Sequence, residues 1–238
     1  SATTMVIMPK IMRHLHRGEE KQAISLWKDA FVLNYAVMAV MVFGIVTYAP
    51  EVITILYSEK YLPGVTVFRI YTLILLLRTT YFGMILNATG NTKYIFRVSV
   101  AQLCVNVVLN LIGCRWLELI GPAVATVIAT FWGAYRLLRA TAHELAVPIS
   151  SLLPIRALAG LTAINFTIAL LFAGLKVVLP LDTALAHICT ELLAGRNAAS
   201  IGQCGESVLL GLVWVLLYAV LMYRPLRRKW DTMNQAGE

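Results

Sequence analysis

Val65-Thr66-Val67-Phe68-Arg69-Ile70-Tyr71-Thr72-Leu73-Ile74-Leu75-Leu76-Leu77-Arg78-Thr79-Thr80-Tyr81-Phe82-Gly83-Met84-Ile85-Leu86 is a long apolar run with two arginines and no acid. A helix needs about 20 mostly apolar residues to cross a bilayer, and this run has them. In hydrocarbon only helices and closed barrels satisfy their own backbone. Barrel strands alternate apolar with polar residues over short segments, and this stretch is continuous. It therefore predicts a transmembrane helix.

Five further stretches qualify on either side: Ala30–Ala49, Tyr94–Cys114, Leu117–Leu138, Ile155–Leu179 and Ser207–Tyr223. The expected fold is all-α: a polytopic bundle of six spans preceded by a partial helix that closes at Met8-Pro9. Composition agrees. Of 238 residues, 59% are hydrophobic and 13% charged, where a soluble domain carries about 25% charged. Turn residues fall between the runs. Pro50 follows the first, Pro63-Gly64 precedes the second, and Asn87-Ala88-Thr89-Gly90-Asn91-Thr92 separates the second from the third. Gly121-Pro122 opens the fourth, where a proline costs least. The segment before Met8 carries no secretory signal pattern and reads as the last turns of a helix already under way. This predicts that the chain begins inside a longer protein.

The basic residues set the orientation. One set of loops holds fourteen: Lys10, Arg13, Arg17, Lys21, Lys28, Lys93, Arg97, Arg136, Arg139, Arg156, Arg224, Arg227, Arg228 and Lys229. The alternate loops hold three: Lys60, Arg115 and Arg196. Cytoplasmic loops carry the excess of Lys and Arg, so the rich side and the C-terminal tail are expected inside. The net charge of +8 is accounted for by topology and anionic headgroups, and nucleic acid is not an expected partner. On the fourth span Gly121, Ala125, Ala129 and Gly133 recur every four residues, a face that lets another helix approach closely.

The polar groups inside the spans are few. Arg78 stands mid-span, where a charge costs about 3 kcal/mol on insertion scales and must face protein or trapped water. It reads either as a contact for an anionic substrate group or as a structural arginine bonded to a carboxylate or a carbonyl. Arg69 lies near the outer interface and can snorkel. Gln102, Asn106 and Asn110 form a stripe on the third span that either lines a solvated cavity or bonds neighbouring helices. Asn34, Tyr35 and Asn165 are weaker signals of the same kind.

No Asp or Glu lies deep in a span, so the chain offers no carboxylate there for proton or sodium coupling. No metal-ligand spacing, phosphate loop or nucleophile–base constellation occurs, and neither cofactor nor metal is expected. Cys104 and Cys114 read as buried small hydrophobes. Cys189 and Cys204 share the outer loop 181–206, where an oxidising compartment can pair them or leave them free. Residues 184–193 read as a short interfacial helix.

Several segments carry a resemblance in their order along residues 1–140. They are Met8-Pro9, Arg17-Gly18-Glu19-Glu20-Lys21 leading to Trp27, and Ala49-Pro50-Glu51-Val52-Ile53-Thr54-Ile55-Leu56-Tyr57 before Lys60-Tyr61. Leu86-Asn87-Ala88-Thr89-Gly90-Asn91-Thr92-Lys93 follows, then Asn106-Val107-Val108-Leu109-Asn110-Leu111 before Gly121-Pro122-Ala123-Val124-Ala125-Thr126. The chain resembles the C-terminal half of the polysaccharide (O-antigen or exopolysaccharide) flippases of the multidrug/oligosaccharidyl-lipid/polysaccharide exporter superfamily. The resemblance implies the second lobe of a two-lobed exporter. Residues 1–140 would form the core of that lobe, and residues 141–238 two further spans with the outer loop and a basic cytoplasmic tail.

It further implies a cell-membrane transporter, not an enzyme. Its substrate would be a polyprenyl-pyrophosphate-linked oligosaccharide, and its surroundings the bilayer and other polysaccharide-assembly membrane proteins. Cavity cations would meet the pyrophosphate and polar side chains the sugars. Arg78, Gln102, Asn106, Asn110 and Asn34 are the substrate-binding candidates. The competing readings are a multidrug cation antiporter of the same superfamily, a lipid II flippase, and a membrane-embedded oligosaccharide polymerase or glycosyltransferase. The last expects a sizeable outer loop with paired charged residues, whereas the outer acids here are scattered.

Overall fold

The computed structural model describes residues 2–178 and 198–235. The described residues are almost wholly helical, with no strand among them. The elements are α1 (Ala2–His16), α2 (Glu20–Thr47), α3 (Ala49–Leu56), a 3-10 turn (Glu59–Gly64), α4 (Val65–Leu77) and α5 (Met84–Ala88). They continue with α6 (Thr92–Leu117), α7 (Gly121–Glu144), α8 (Ile149–Leu152), α9 (Ile155–Val178) and α10 (Ala198–Gln235).

Five helical stretches among the described residues are long and apolar enough to cross a membrane: Glu20–Thr47, Glu59–Leu77, Thr92–Glu144, Ile155–Leu175 and Leu210–Asp231. The third, of 53 residues, contains both α6 and α7. The expected polytopic helical architecture is therefore present, with differences in three places. The first span begins a turn or more earlier than its apolar run, so Lys28 and Asp29 are helical. Residues 198–206, read from sequence as outer loop, belong to α10. The second span is not one helix: it stops at Leu77 and resumes at Met84. Cys104 and Cys114, expected to be buried, are exposed on α6, and Cys189 and the short helix expected at 184–193 lie outside the described residues.

Helix α2 is the spine. Its N-terminal half packs with α1, α5, α7 and α8 around Ile11, Trp27, Ile85, Leu138 and Leu152. Its C-terminal half packs with α9 and α10 around Tyr35, Ala39, Phe43, Phe172 and Trp214. Two polar ties cross these seams. The Tyr35 and Thr162 hydroxyls lie 2.7 Å apart between α2 and α9, and Lys229 of α10 pairs with Asp29 of α2. Arg69 donates from Nε to the Val46 carbonyl at 3.1 Å. Arg69, expected to snorkel at the outer interface, thus bonds a backbone carbonyl at the end of α2. Arg136 and Arg139 of α7 lie beside the start of α6, and Lys229 of α10 beside Asp29 in the first half of α2, whereas Arg115 stands at the far end of α6.

Between α5 and α6, Gly90 takes φ +80°, a left-handed conformation that glycine adopts without penalty. This closes the turn, and Asn91 N–H donates to the Leu86 carbonyl at 2.8 Å. The antiparallel α6–α7 hairpin depends on absent side chains. A β-carbon on Gly113 would stand 2.9 Å from the Gly121 carbonyl oxygen, and one on Gly121 would run into the Gly113 backbone. Further along, Gly133 is covered by the Gln102 side chain.

Gly121→Ala should therefore destabilise the protein by about 1–3 kcal/mol, the usual range for overpacking. Gly160→Ala on α9, whose β-carbon would meet nothing within 4 Å, should leave stability unchanged or slightly raised. Thermal unfolding in detergent reads both. Equal midpoints for the two variants would show that the hairpin does not need this close approach.

Candidate functional site: a cavity at the broken span

The break between α4 and α5 covers Arg78 to Gly83. The apolar run ends where Leu75-Leu76-Leu77 gives way to Arg78-Thr79-Thr80, and the chain leaves α-geometry at Arg78. Thr79 is buried, and its hydroxyl donates to the Leu76 carbonyl at 2.9 Å, replacing one lost helical bond. Helix restarts when Met84 N–H donates to the Tyr81 carbonyl. The carbonyls of Leu77, Arg78 and Thr79 accept no backbone donor in a turn or loop. Irregular backbone at membrane depth is tolerated only where it is buried in protein or lines a water-filled cavity, and a cavity is what lies here.

That cavity has a volume of about 330 Å³ and is walled by Leu77, Arg78, Thr79, Thr80, Tyr81 and Phe82 from the break, Gln102 from α6, and Thr130, Ala134 and Leu137 from α7. Arg78 is exposed and makes no ion pair with a carboxylate among the described residues. Thr130 is buried, and its hydroxyl has no hydrogen-bond partner among the described residues. The lining thus presents a guanidinium, an amide, hydroxyls and free carbonyls.

A second, larger cavity of about 630 Å³ shares Leu77, Phe82 and Ala134 with the first. Its walls are almost wholly apolar. They come from Phe31 and Tyr35 of α2, Ile70, Leu73, Ile74 and Leu76 of α4, Phe131 and Leu138 of α7, and Leu158 of α9. A polar cavity with one cation therefore adjoins an apolar one.

Of the candidates read from sequence, Arg78 and Gln102 come together at this cavity. Asn106 and Asn110 lie further along α6, in the seam with α7. Asn110 Nδ2 donates to Asn106 Oδ1 at 2.8 Å, Asn106 Nδ2 to Thr126 Oγ1 at 3.4 Å, and the Thr126 hydroxyl to the Pro122 carbonyl at 2.8 Å. The amide stripe of α6 thus faces the small-residue stripe of α7. Asn34 is half-buried on α2 and lines neither cavity. Asn165 is fully buried, its Nδ2 donating to the Leu161 carbonyl at 2.9 Å. Sequence reasoning missed Thr79, Thr80, Tyr81 and Thr130. The signal was there in the first three, a polar run beside the arginine in an apolar span.

A discontinuous span lining an internal cavity within a polytopic helical bundle is an architecture of membrane transporters. The family model of the lipid II flippase MurJ matches residues 2–188. The chain belongs to this family, and through it to the exporter superfamily that the sequence resembles. It is accordingly a multi-pass membrane transporter of the flippase type. No curated protein and no solved structure matches it.

If the α6 amides hold the seam, Thr126→Val should cost about 0.6–1.5 kcal/mol, the range for interhelical hydrogen bonds in membranes. Asn34→Ala should cost less. Unfolding by denaturing detergent gives both numbers. A Thr126→Val protein as stable as the parent would release Asn106 and Asn110 from a structural role.

Proposed function

We propose that the chain moves a polyprenyl-pyrophosphate-linked saccharide from the leaflet at its basic, cytoplasmic end to the opposite leaflet, with no bond made or broken. The observation that carries this reading is Arg78. It is a guanidinium without a carboxylate partner among the described residues, on a broken span, beside an apolar cavity of about 630 Å³. Such a substrate has a diphosphate between a hydrocarbon chain and a polar sugar. The guanidinium forks onto phosphate oxygens, Gln102 and the free carbonyls offer bonds to sugar hydroxyls, and the apolar cavity receives the first part of the chain.

The charge carried by Arg78 in the unliganded protein costs energy at membrane depth. Pairing with pyrophosphate relieves that cost, so the substrate stabilises whichever conformation encloses it. Alternating exposure then follows from rocking of this helical body against a second lobe about the site. Two saccharide classes fit. Membership of the lipid II flippase family favours the peptidoglycan precursor, and the sequence resemblance favours a surface-polysaccharide oligosaccharide. The adjoining cavities serve the carrier common to both.

Replacing Arg78 by Ala should lower translocation at least tenfold, in line with loss of a charged hydrogen bond. Arg78→Lys should retain a part of the activity. The assay is leaflet accessibility of the labelled lipid in cells at matched expression. Parental transport by Arg78→Ala would remove Arg78 from the substrate path. Complementation decides the saccharide. Rescue of cells depleted of peptidoglycan-precursor flipping assigns lipid II, and rescue of surface polysaccharide in a strain lacking its flippase assigns the oligosaccharide.

A further inference from the structure

A third cavity, of about 350 Å³, lies at the basic end of the α6–α7 hairpin. Its walls include Arg136, Arg139 and His143 of α7 and Asn91 and Tyr94 at the start of α6. Ala140 lines it and Leu137 lines the Arg78 cavity. The two sites are thus served by adjacent turns of one helix, about 4.5 Å apart along its axis. The mechanism above uses none of these five side chains.

We propose that this cavity binds the phosphate of a membrane-lipid headgroup. Positions 136, 139 and 143 project from one face of α7 by helical spacing, which brings two guanidiniums and an imidazole to one wall. The Arg136 guanidinium sits over the Trp132 ring, 5.8 Å from its centroid. This stacking holds the fork in place. Neither arginine has an ion-pair partner among the described residues. Glu144 also lines the cavity and offsets part of the charge, while the exposed Lys93 stands next to Tyr94 and keeps the local balance positive.

Arginine rather than lysine at both positions suits bidentate contact with phosphate oxygens. Asn91 and the Tyr94 hydroxyl provide neutral hydrogen bonds on the facing wall. The lipid assignment comes from position. These residues stand toward the ends of helices long and apolar enough to span, where basic pockets between helices meet lipid phosphates. The phosphate can belong to a bulk anionic phospholipid or to the polyprenyl carrier, and the chemistry is the same.

The test uses the whole chain in nanodiscs of phosphatidylcholine, doped either with phosphatidylglycerol or with undecaprenyl phosphate. Retained lipid is counted by native mass spectrometry. Arg136→Gln with Arg139→Gln should weaken retention of one or both dopants about tenfold. Arg224→Gln with Arg227→Gln on α10 removes the same charge elsewhere and should change it less than about twofold. Tyr94→Phe, which keeps every charge, should weaken retention about threefold and serves if the double variant does not fold. The dopant that responds identifies the source of the phosphate. Equal losses from the two double variants would reduce the effect to diffuse charge and overturn the site, as would retention unchanged in Tyr94→Phe and in the Arg136/Arg139 variant. The Arg136/Arg139 and Tyr94 variants are scored on lipid retention and not on transport, so failure of the transport reading is seen separately.

Discussion

A polar group inside hydrocarbon has no water to fall back on, and that constraint organises this molecule. Each departure from apolar helix is met by something specific. The Thr79 hydroxyl takes a carbonyl where α4 ends. Asn106, Asn110 and Thr126 bond one another and the Pro122 carbonyl. Asn165 turns back on its own helix. Where the groups are too many to satisfy internally, from Arg78 onward, the helix opens and a cavity lies against the break. Such a cavity leaves room for water beside the groups that the helix no longer bonds.

The same constraint explains the position of the apolar cavity. Helices in lipid associate through packing rather than through escape from water. A space lined by Phe31, Ile74, Phe131 and Leu138 therefore costs little so long as hydrocarbon can fill it. A polar space and an oily one sharing Leu77, Phe82 and Ala134 match the two halves of a lipid-linked substrate. Neither alone would distinguish a lipid carrier from a drug or a free sugar.

The α6–α7 hairpin connects these features. Its tight end depends on Gly113 and Gly121, its middle on the amide–hydroxyl network, and its next turns place Gln102 against Gly133 beside Thr130 and Ala134. The basic end of the same hairpin carries Arg136 and Arg139. Because α7 contributes to both cavities as one continuous helix, a shift of this hairpin moves the wall of the Arg78 cavity together with Arg136 and Arg139.

Much of the architecture is legible in the residue order. Run length and continuity determine that the chain is helical and membrane-spanning, because lipid admits only helices and closed barrels and barrel strands would alternate. The Asn87–Thr92 turn and Gly121-Pro122 mark where helices reverse, and lysine and arginine counts separate one end from the other. Repeats at four-residue spacing also identify two special faces, one of amides on α6 and one of small residues on α7. What those faces meet is not written in their periodicity, since a helical repeat names a face and not its partner. Only tertiary packing decided that the two stripes close on each other, leaving Gln102 with Arg78 while Asn106 and Asn110 bond within the seam. The break at Arg78 was decided in the same way. The polar run Arg78-Thr79-Thr80 marks where the apolar stretch weakens, but the cavity walled by α6 and α7 beside it exists only in the packing.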